Sequence, residues 1–201
     1  MKDLWYADKR DLIKWGALVL LANRFKATRI LQIAYYRPCV FPPLVIEGQN
    51  QQIPPEVLSH FRDVRAASNL KSMARITVFD AVLEDRHEYL ESVIALLHAF
   101  RQESCVVFLD PDIGLEPQNP TFQHVLDAEA LGMWRAMKEG DVFVIYQHKT
   151  NRNGQPWIEP KRQQLATAIG VALDRIGQAT GPDIANDVVL FFIQKTIRPV
   201  P

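Results

Sequence analysis

The residues best suited to chemistry stand directly after segments with the composition of buried β-strands. Asp110 and Asp112 follow the run SCVVFL, and His148 follows DVFVIYQ. Carboxylates accept hydrogen bonds from amino groups or hold divalent cations, and an imidazole serves as a general base near neutral pH. Because ligands bind beyond the carboxyl ends of strands in open α/β sheets, we predict that Asp110, Asp112 and His148 form the catalytic centre.

Two sets of cationic and aromatic side chains are candidates for holding a ligand beside that centre. The first set lies at the end of the first predicted strand, is expected to bind a cofactor, and includes Tyr36 and Arg37. The second set lies in or beside the loop 148–157, is expected to contact phosphates and stack a base of the substrate, and comprises Lys149, Arg152 and Trp157. A structural role at a solvated strand end, loop or helix face is the alternative for each of them.

These residues would be positioned by alternating strands and helices. Strands are predicted at 29–36, 75–80, 104–110, 141–147 and 187–195. Helices are predicted to begin at Asp8, Pro54–Pro55, Asp85 and Asn119–Pro120, with a last helix over 158–177. The pattern predicts one doubly wound α/β domain over 1–201, with a mostly parallel, Rossmann-like sheet of five or more strands and helices on both faces.

Composition narrows the class of protein and of partner. The chain has 23 basic and 23 acidic side chains, and this zero net charge argues against nucleic-acid binding by bulk electrostatics. It does not exclude a local basic groove. The longest apolar run, 16–22, is too short to span a bilayer, and the charged N-terminus does not resemble a signal peptide. We therefore predict a cytoplasmic protein without a membrane partner.

Several common site motifs do not occur in the sequence. The first predicted strand is followed by AYYRPC, without a glycine-rich phosphate loop, and there is no Gly-x-Ser-x-Gly nucleophile elbow. The two cysteines, Cys39 and Cys105, lack metal-site spacing and are predicted to be buried thiols. The other histidines fall in predicted helices without the i, i+4 pairing of a helical zinc motif: His60, His87, His98 and His124.

Two short segments, Asp11-Leu12-Ile13-Lys14 and Asp110-Pro111, resemble motifs of class I methyltransferase-like proteins. These proteins include the large-subunit ribosomal RNA adenine-N6 methyltransferases and the three-Cys-motif partner proteins. The first segment resembles the N-terminus of the ribosomal enzymes, and the second resembles the first half of their Asp-Pro-Pro-Tyr motif. The resemblance implies adenosylmethionine as the cofactor, with Asp110 near the target amino group. It also implies that Lys14 lines the cleft, which adds Lys14 to the predicted cofactor-binding set.

The sequence departs from this family pattern at three places. Asp112 replaces the second proline, and Ile113 stands where an aromatic residue would stack on a flipped base. Tyr35-Tyr36-Arg37-Pro38 replaces the glycine loop that usually binds adenosylmethionine. The resemblance therefore supports the fold more strongly than it supports methyl transfer.

Three functions are compatible with these patterns. The first is a methyltransferase-like enzyme that acts on nucleic acid or a nucleotide at the carboxyl edge of the sheet. The second is a hydrolase of phosphodiesters or nucleotides, in which Asp110, Asp112 and His148 hold Mg²⁺ or Mn²⁺ that activates water. The third is a methyltransferase-like domain that has lost catalysis and serves as a binding or assembly module.

Overall fold

A mostly parallel sheet lies at the centre of the computed structural model, which describes residues 8–38, 41–46, 48–55, 57, 63–151 and 154–196. Within these residues it has six strands, in the spatial order β4 (Arg75–Phe79), β1 (Arg29–Ile33), β5 (Cys105–Leu109), β8 (Val142–His148), β10 (Ala185–Gln194) and β9 (Gly177–Gly181). The first four strands run parallel, and β10 runs antiparallel to both of its neighbours.

Two short strand pairs lie outside this sheet. The antiparallel pair is β2 (Leu44–Ile46) with β3 (Gln49–Gln51), and both of its strands are exposed. The parallel pair is β6 (Gly114–Leu115) with β7 (His124–Val125), and both of its strands are buried. The second pair shapes the chain that follows β5, where the candidate site residues lie.

Helices cover both faces of the sheet. One face packs against α1 (Lys9–Phe25), and the other packs against α2 (Arg86–Ala99), α3 (Asp127–Ala136) and α4 (Ile158–Ile169). Because successive side chains of a strand point to opposite faces, Phe108 packs with α1, whereas Val107 and Leu109 pack with the other three helices. The predicted α/β class with a mostly parallel sheet is confirmed.

The predicted helix starts at Asp8 and Asp85 are confirmed by side-chain caps. The Asp8 carboxylate accepts hydrogen bonds from the amides of Arg10 and Asp11, and the Asp85 carboxylate accepts one from the amide of Glu88. The Asp8 cap fixes the start of α1, the helix that carries Lys14. None of the described helices is long and apolar enough to cross a membrane.

Two predicted helices are shorter in the structure than in the sequence analysis. The helix expected from Asn119 begins at Asp127. The backbone groups of the preceding segment form the β6–β7 pair and the hydrogen bonds next to it, so they are not available to a helix. The helix expected over 158–177 ends at Ile169, where Gly170 adopts a left-handed conformation, and 177–181 is strand β9.

Two other predictions fall wholly or partly outside the described residues. Most of the helix expected from Pro54–Pro55 lies there, although its last apolar position, Val64, begins a short 3-10 helix, Val64–Asn69. Cys39 lies there as well. Cys105 is buried as predicted, and burial raises the pKa of its thiol to about 11.

Candidate functional site

A cleft of about 660 Å³ opens beside the carboxyl ends of β5 and β8, next to the first turns of α1. Its lining includes Lys14, Asp112, His124, Tyr146, His148 and Lys149. Sites for small ligands typically enclose about 300–1,000 Å³, so the cleft has room for a ligand of nucleoside size. It lies at the edge of the sheet where the sequence analysis expected chemistry.

The structure brings some of the predicted site residues together in this cleft. Asp112 and His148 line it, as do Lys14 of the predicted cofactor set and Lys149 of the predicted substrate set. Asp110 is fully buried and contacts Lys14, so it lies beneath the cleft rather than in its lining.

Other predicted site residues lie elsewhere. Arg37 reaches the cleft indirectly, through its ion pair with Asp112, and Tyr36 forms an isolated bridge with Val82 beyond β4. Trp157 is half-buried and packs against the hydrophobic core at the start of α4. Arg152 lies outside the described residues.

A buried ion pair ties α1 to the end of β5. The Lys14 Nζ lies 2.9 Å from Asp110 Oδ1 and 3.1 Å from Asp11 Oδ1, and it stands 4.4 Å from the centre of the Tyr146 ring. Although burial disfavours the ammonium, the two carboxylates raise the pKa of Lys14 well above its usual value. The Gln32 amide donates to Asp110 Oδ2 at 2.7 Å, so one oxygen of Asp110 has a hydrogen-bond partner and the other has an ion-pair partner.

A second ion pair joins the chain after β1 to the chain after β5. The Arg37 guanidinium donates to the Asp112 carboxylate. Two residues before Arg37, Tyr35 is fully buried at φ +47°, its amide donates to the Tyr89 hydroxyl at 2.9 Å, and its own hydroxyl donates to Glu129 at 3.3 Å. The turn after β1 therefore contains a tyrosine whose side chain is buried in the core and whose backbone amide already has a partner.

His148 belongs to a polar network on the far side of the cleft. Its Nδ1 lies 2.9 Å from the Lys149 carbonyl oxygen, and its Nε2 lies 3.4 Å from an Asp187 carboxylate oxygen. The same carboxylate accepts two hydrogen bonds from Arg10 of α1. Although burial would raise the pKa of Asp187, its hydrogen bonds from Arg10 lower that pKa below the usual range.

The lowered pKa of Asp187 predicts how stability depends on pH. Its carboxylate stabilises the folded chain above the unfolded pKa of about 4, and this stabilisation is lost as the pH falls through the lower folded value. We expect Asp187→Asn to lower the free energy of unfolding at neutral pH. We also expect it to make that free energy depend less steeply on pH below the unfolded pKa of Asp187. Denaturant unfolding across the acid range measures this, with the exposed Asp183→Asn as the control. An acid limb as steep in Asp187→Asn as in the wild type would contradict it.

His124 is a cleft residue that the sequence analysis missed. The sequence pattern around it predicts a helix, whereas the structure places His124 in β7, with only 7% of its surface exposed. Its Nδ1 accepts a hydrogen bond from the Thr121 amide at 3.1 Å. Burial lowers the pKa of His124. No sequence pattern marked it, because its place in the cleft depends on the β6–β7 pairing.

Carboxylates and cations nearly balance at this site. The carboxylates at or beneath the cleft are Asp8, Asp11, Asp110, Asp112 and Asp187, and the cations are Arg10, Lys14, Arg37 and Lys149. Most of these charges are paired within the protein. Among the described residues, no group of three or more histidine, cysteine, aspartate or glutamate side chains is arranged to hold a metal ion.

Comparisons with known proteins assign neither a family nor a function to the chain. No protein-family model matches the chain, and no curated protein matches it.

Proposed function

We propose that the chain is a methyltransferase-like protein whose cleft binds the nucleoside part of a nucleotide, a nucleic acid or adenosylmethionine. The observation that carries the proposal is the cleft itself, which gathers Lys14, Asp112, His148 and Lys149 at the carboxyl edge of a mostly parallel sheet. Open α/β sheets bind nucleotide-like ligands at this edge. The Lys14–Asp110 pair joins the two segments that carry the family resemblance.

The charge balance favours a ligand with little net negative charge. Arg10 and Lys14 in the lining, and Arg37 beside it, are already paired with carboxylates, so a triphosphate would add several negative charges with few cations left to match them. A nucleoside adds no charge, and adenosylmethionine brings a positive sulfonium. Both suit the site better than a nucleoside triphosphate does.

Adenosylmethionine would have to bind differently from its usual mode. The turn after β1 has no glycine cradle, because the fully buried Tyr35 stands there and its amide already donates to the Tyr89 hydroxyl. The cleft beside α1 instead offers the volume and the near-neutral charge that this cofactor needs. When bound, adenosylmethionine would supply the methyl group, while Lys14, Tyr146 and His148 hold and orient the ligands around it.

Calorimetric titration of the purified protein tests the proposal. We expect adenosine or adenosylmethionine to bind and ATP to bind more weakly. Ile113→Trp places a large ring in the cleft lining and should weaken binding at least about tenfold, the equivalent of about 1.4 kcal/mol. The control is Leu20→Trp, at a residue that is 70% exposed on α1 and does not line the cleft. No binding of either nucleoside probe at millimolar concentration, or equal binding by Ile113→Trp, would overturn the proposal.

A binding module without catalysis is the second candidate. The observation that favours it is the state of Asp110, whose two oxygens are held by Lys14 and Gln32, leaving them poorly placed to accept a substrate amino group. Incubation with adenosylmethionine labelled on its methyl group, together with RNA or DNA, distinguishes the two candidates. Label transferred to nucleic acid supports the enzyme, and nucleoside binding without transfer supports the binding module.

A further inference from the structure

The imidazole of His124 is held in one orientation at the cleft wall. Its Nδ1 accepts the hydrogen bond from the Thr121 amide, and this contact requires a lone pair on Nδ1. The proton of the neutral ring must therefore be on Nε2. The carbonyl of His124 is fixed too, because it accepts hydrogen bonds from the Arg86 guanidinium.

The other ring nitrogen, Nε2, is available to a ligand. His124 lines the cleft although most of its surface is buried, and no hydrogen bond joins its Nε2 to any other part of the chain that the structure describes. Burial and the nearby charges of Lys161 and Arg86 disfavour the imidazolium. The cleft wall thus presents an uncharged N–H donor on a rigid support.

We propose that His124 selects the ligand of this cleft by donating its Nε2–H to an uncharged acceptor, a ring nitrogen or a sugar oxygen of a nucleoside. The inference rests on the proposed function and adds the residue that recognises the ligand through a hydrogen bond. A neutral donor suits a neutral acceptor, because an anionic oxygen would gain more from a cation such as Lys149. Once a ligand covers this donor, an analogue that lacks the acceptor is also disfavoured, since the donor would have lost its water without gaining a partner.

Two substitutions separate ligand binding from structural support. Asparagine places an oxygen near the position of Nδ1, so His124→Asn keeps an acceptor for the Thr121 amide and removes the donor to the ligand. Glutamine extends an amide nitrogen toward the position of Nε2, so His124→Gln keeps a donor and loses the Thr121 contact. A purely structural histidine would tolerate asparagine and be impaired by glutamine in both stability and binding.

Titration calorimetry with adenosine and with adenosylmethionine, alongside denaturant unfolding, tests the inference. We expect His124→Asn to bind the probe roughly three- to tenfold more weakly at nearly unchanged stability, as loss of one neutral hydrogen bond predicts. His124→Gln should bind more tightly than His124→Asn although it is less stable. Nitrogen-15 NMR of the imidazole should show the Nε2–H tautomer in the free protein and a shift of Nε2 on adding the probe.

Each contrary outcome has a distinct meaning. If the wild type binds a probe and His124→Asn binds it equally well, the inference is overturned and the proposed function stands. An Nδ1–H tautomer in the NMR spectrum would also overturn the inference alone. If the wild type binds neither probe, the proposed function fails and this inference fails with it.

Discussion

Replacing Lys14 with methionine should lower the free energy of unfolding by about 3–5 kcal/mol, the cost of removing one partner from a buried ion pair. Methionine keeps most of the length of the side chain but removes the ammonium that lies 2.9 Å from Asp110 and 3.1 Å from Asp11. Both carboxylates would remain buried without this counter-charge. Denaturant unfolding at neutral pH, followed by tryptophan fluorescence, measures the loss.

A control and a second substitution make this prediction specific to the ion pair. Lys9→Met changes an exposed lysine at the start of the same helix and should cost less than about 1 kcal/mol, as exposed charge changes usually do. Adding Asp110→Asn to Lys14→Met removes one of the uncompensated charges and should restore part of the lost stability. Equal losses for Lys9→Met and Lys14→Met, or no recovery in the double variant, would show that the pair does not stabilise the fold.

The sequence predicted the strands of this fold better than its helix ends. Continuous apolar runs such as CVVFL are buried on both faces, and the strands found there, including β5 and β8, overlap the predicted ones closely. The antiparallel direction of β10 was not predicted, because a run of apolar residues carries no information about strand direction. β9 was missed because its sequence, GQATG, lacks the apolar residues that mark a strand.

The structure gathers in one cleft several residues that were predicted to lie together, but their ion pairs with one another were not foreseen. Placing Asp112, His148 and Lys149 at one sheet edge needed only the strand ends, whereas Lys14 was expected in the cleft from the family resemblance of its segment. That Lys14 would neutralise Asp110, or that Arg37 would bind Asp112, depends on tertiary distances that spacing along the chain does not encode. His124 illustrates the same limit, because a two-residue pairing places it in the cleft wall.

The pairing pattern indicates how the cleft keeps its shape without a ligand. Three sets of charged contacts connect the walls of the cleft. Lys14 with Asp110 joins α1 to the chain after β5, and Arg37 with Asp112 joins the chain after β1 to the chain after β5. Asp187 of β10 contacts both Arg10 of α1 and His148 of β8. Each connects segments far apart in sequence, so they fix the cleft walls against one another. A preformed cleft binds its ligand without the free-energy cost of ordering side chains and loops, which a flexible site must meet on binding.

Gly114 is expected to be the backbone position that tolerates substitution least. It adopts φ +132°, a conformation that L side chains rarely adopt, and a Cβ there would overlap the side-chain amide of Gln147. Gln147 cannot move freely, because it is fully buried, accepts a hydrogen bond from the Leu115 amide at 2.9 Å and donates one to the His148 carbonyl at 2.8 Å. The contact with Leu115 connects the chain after β5 to β8 below the cleft.

Gly114→Ala should therefore lower the free energy of unfolding by about 2–5 kcal/mol, from backbone strain together with disrupted buried hydrogen bonds. Gly170→Ala is the matched control, because Gly170 also has a positive φ, +70°, but a Cβ there would meet no atom within 4 Å. Strain alone should cost that variant about 1–2 kcal/mol. Denaturant unfolding of both variants gives the comparison. A cost for Gly114→Ala no larger than for Gly170→Ala would mean that Gln147 moves aside easily and does not hold the chain after β5 against β8.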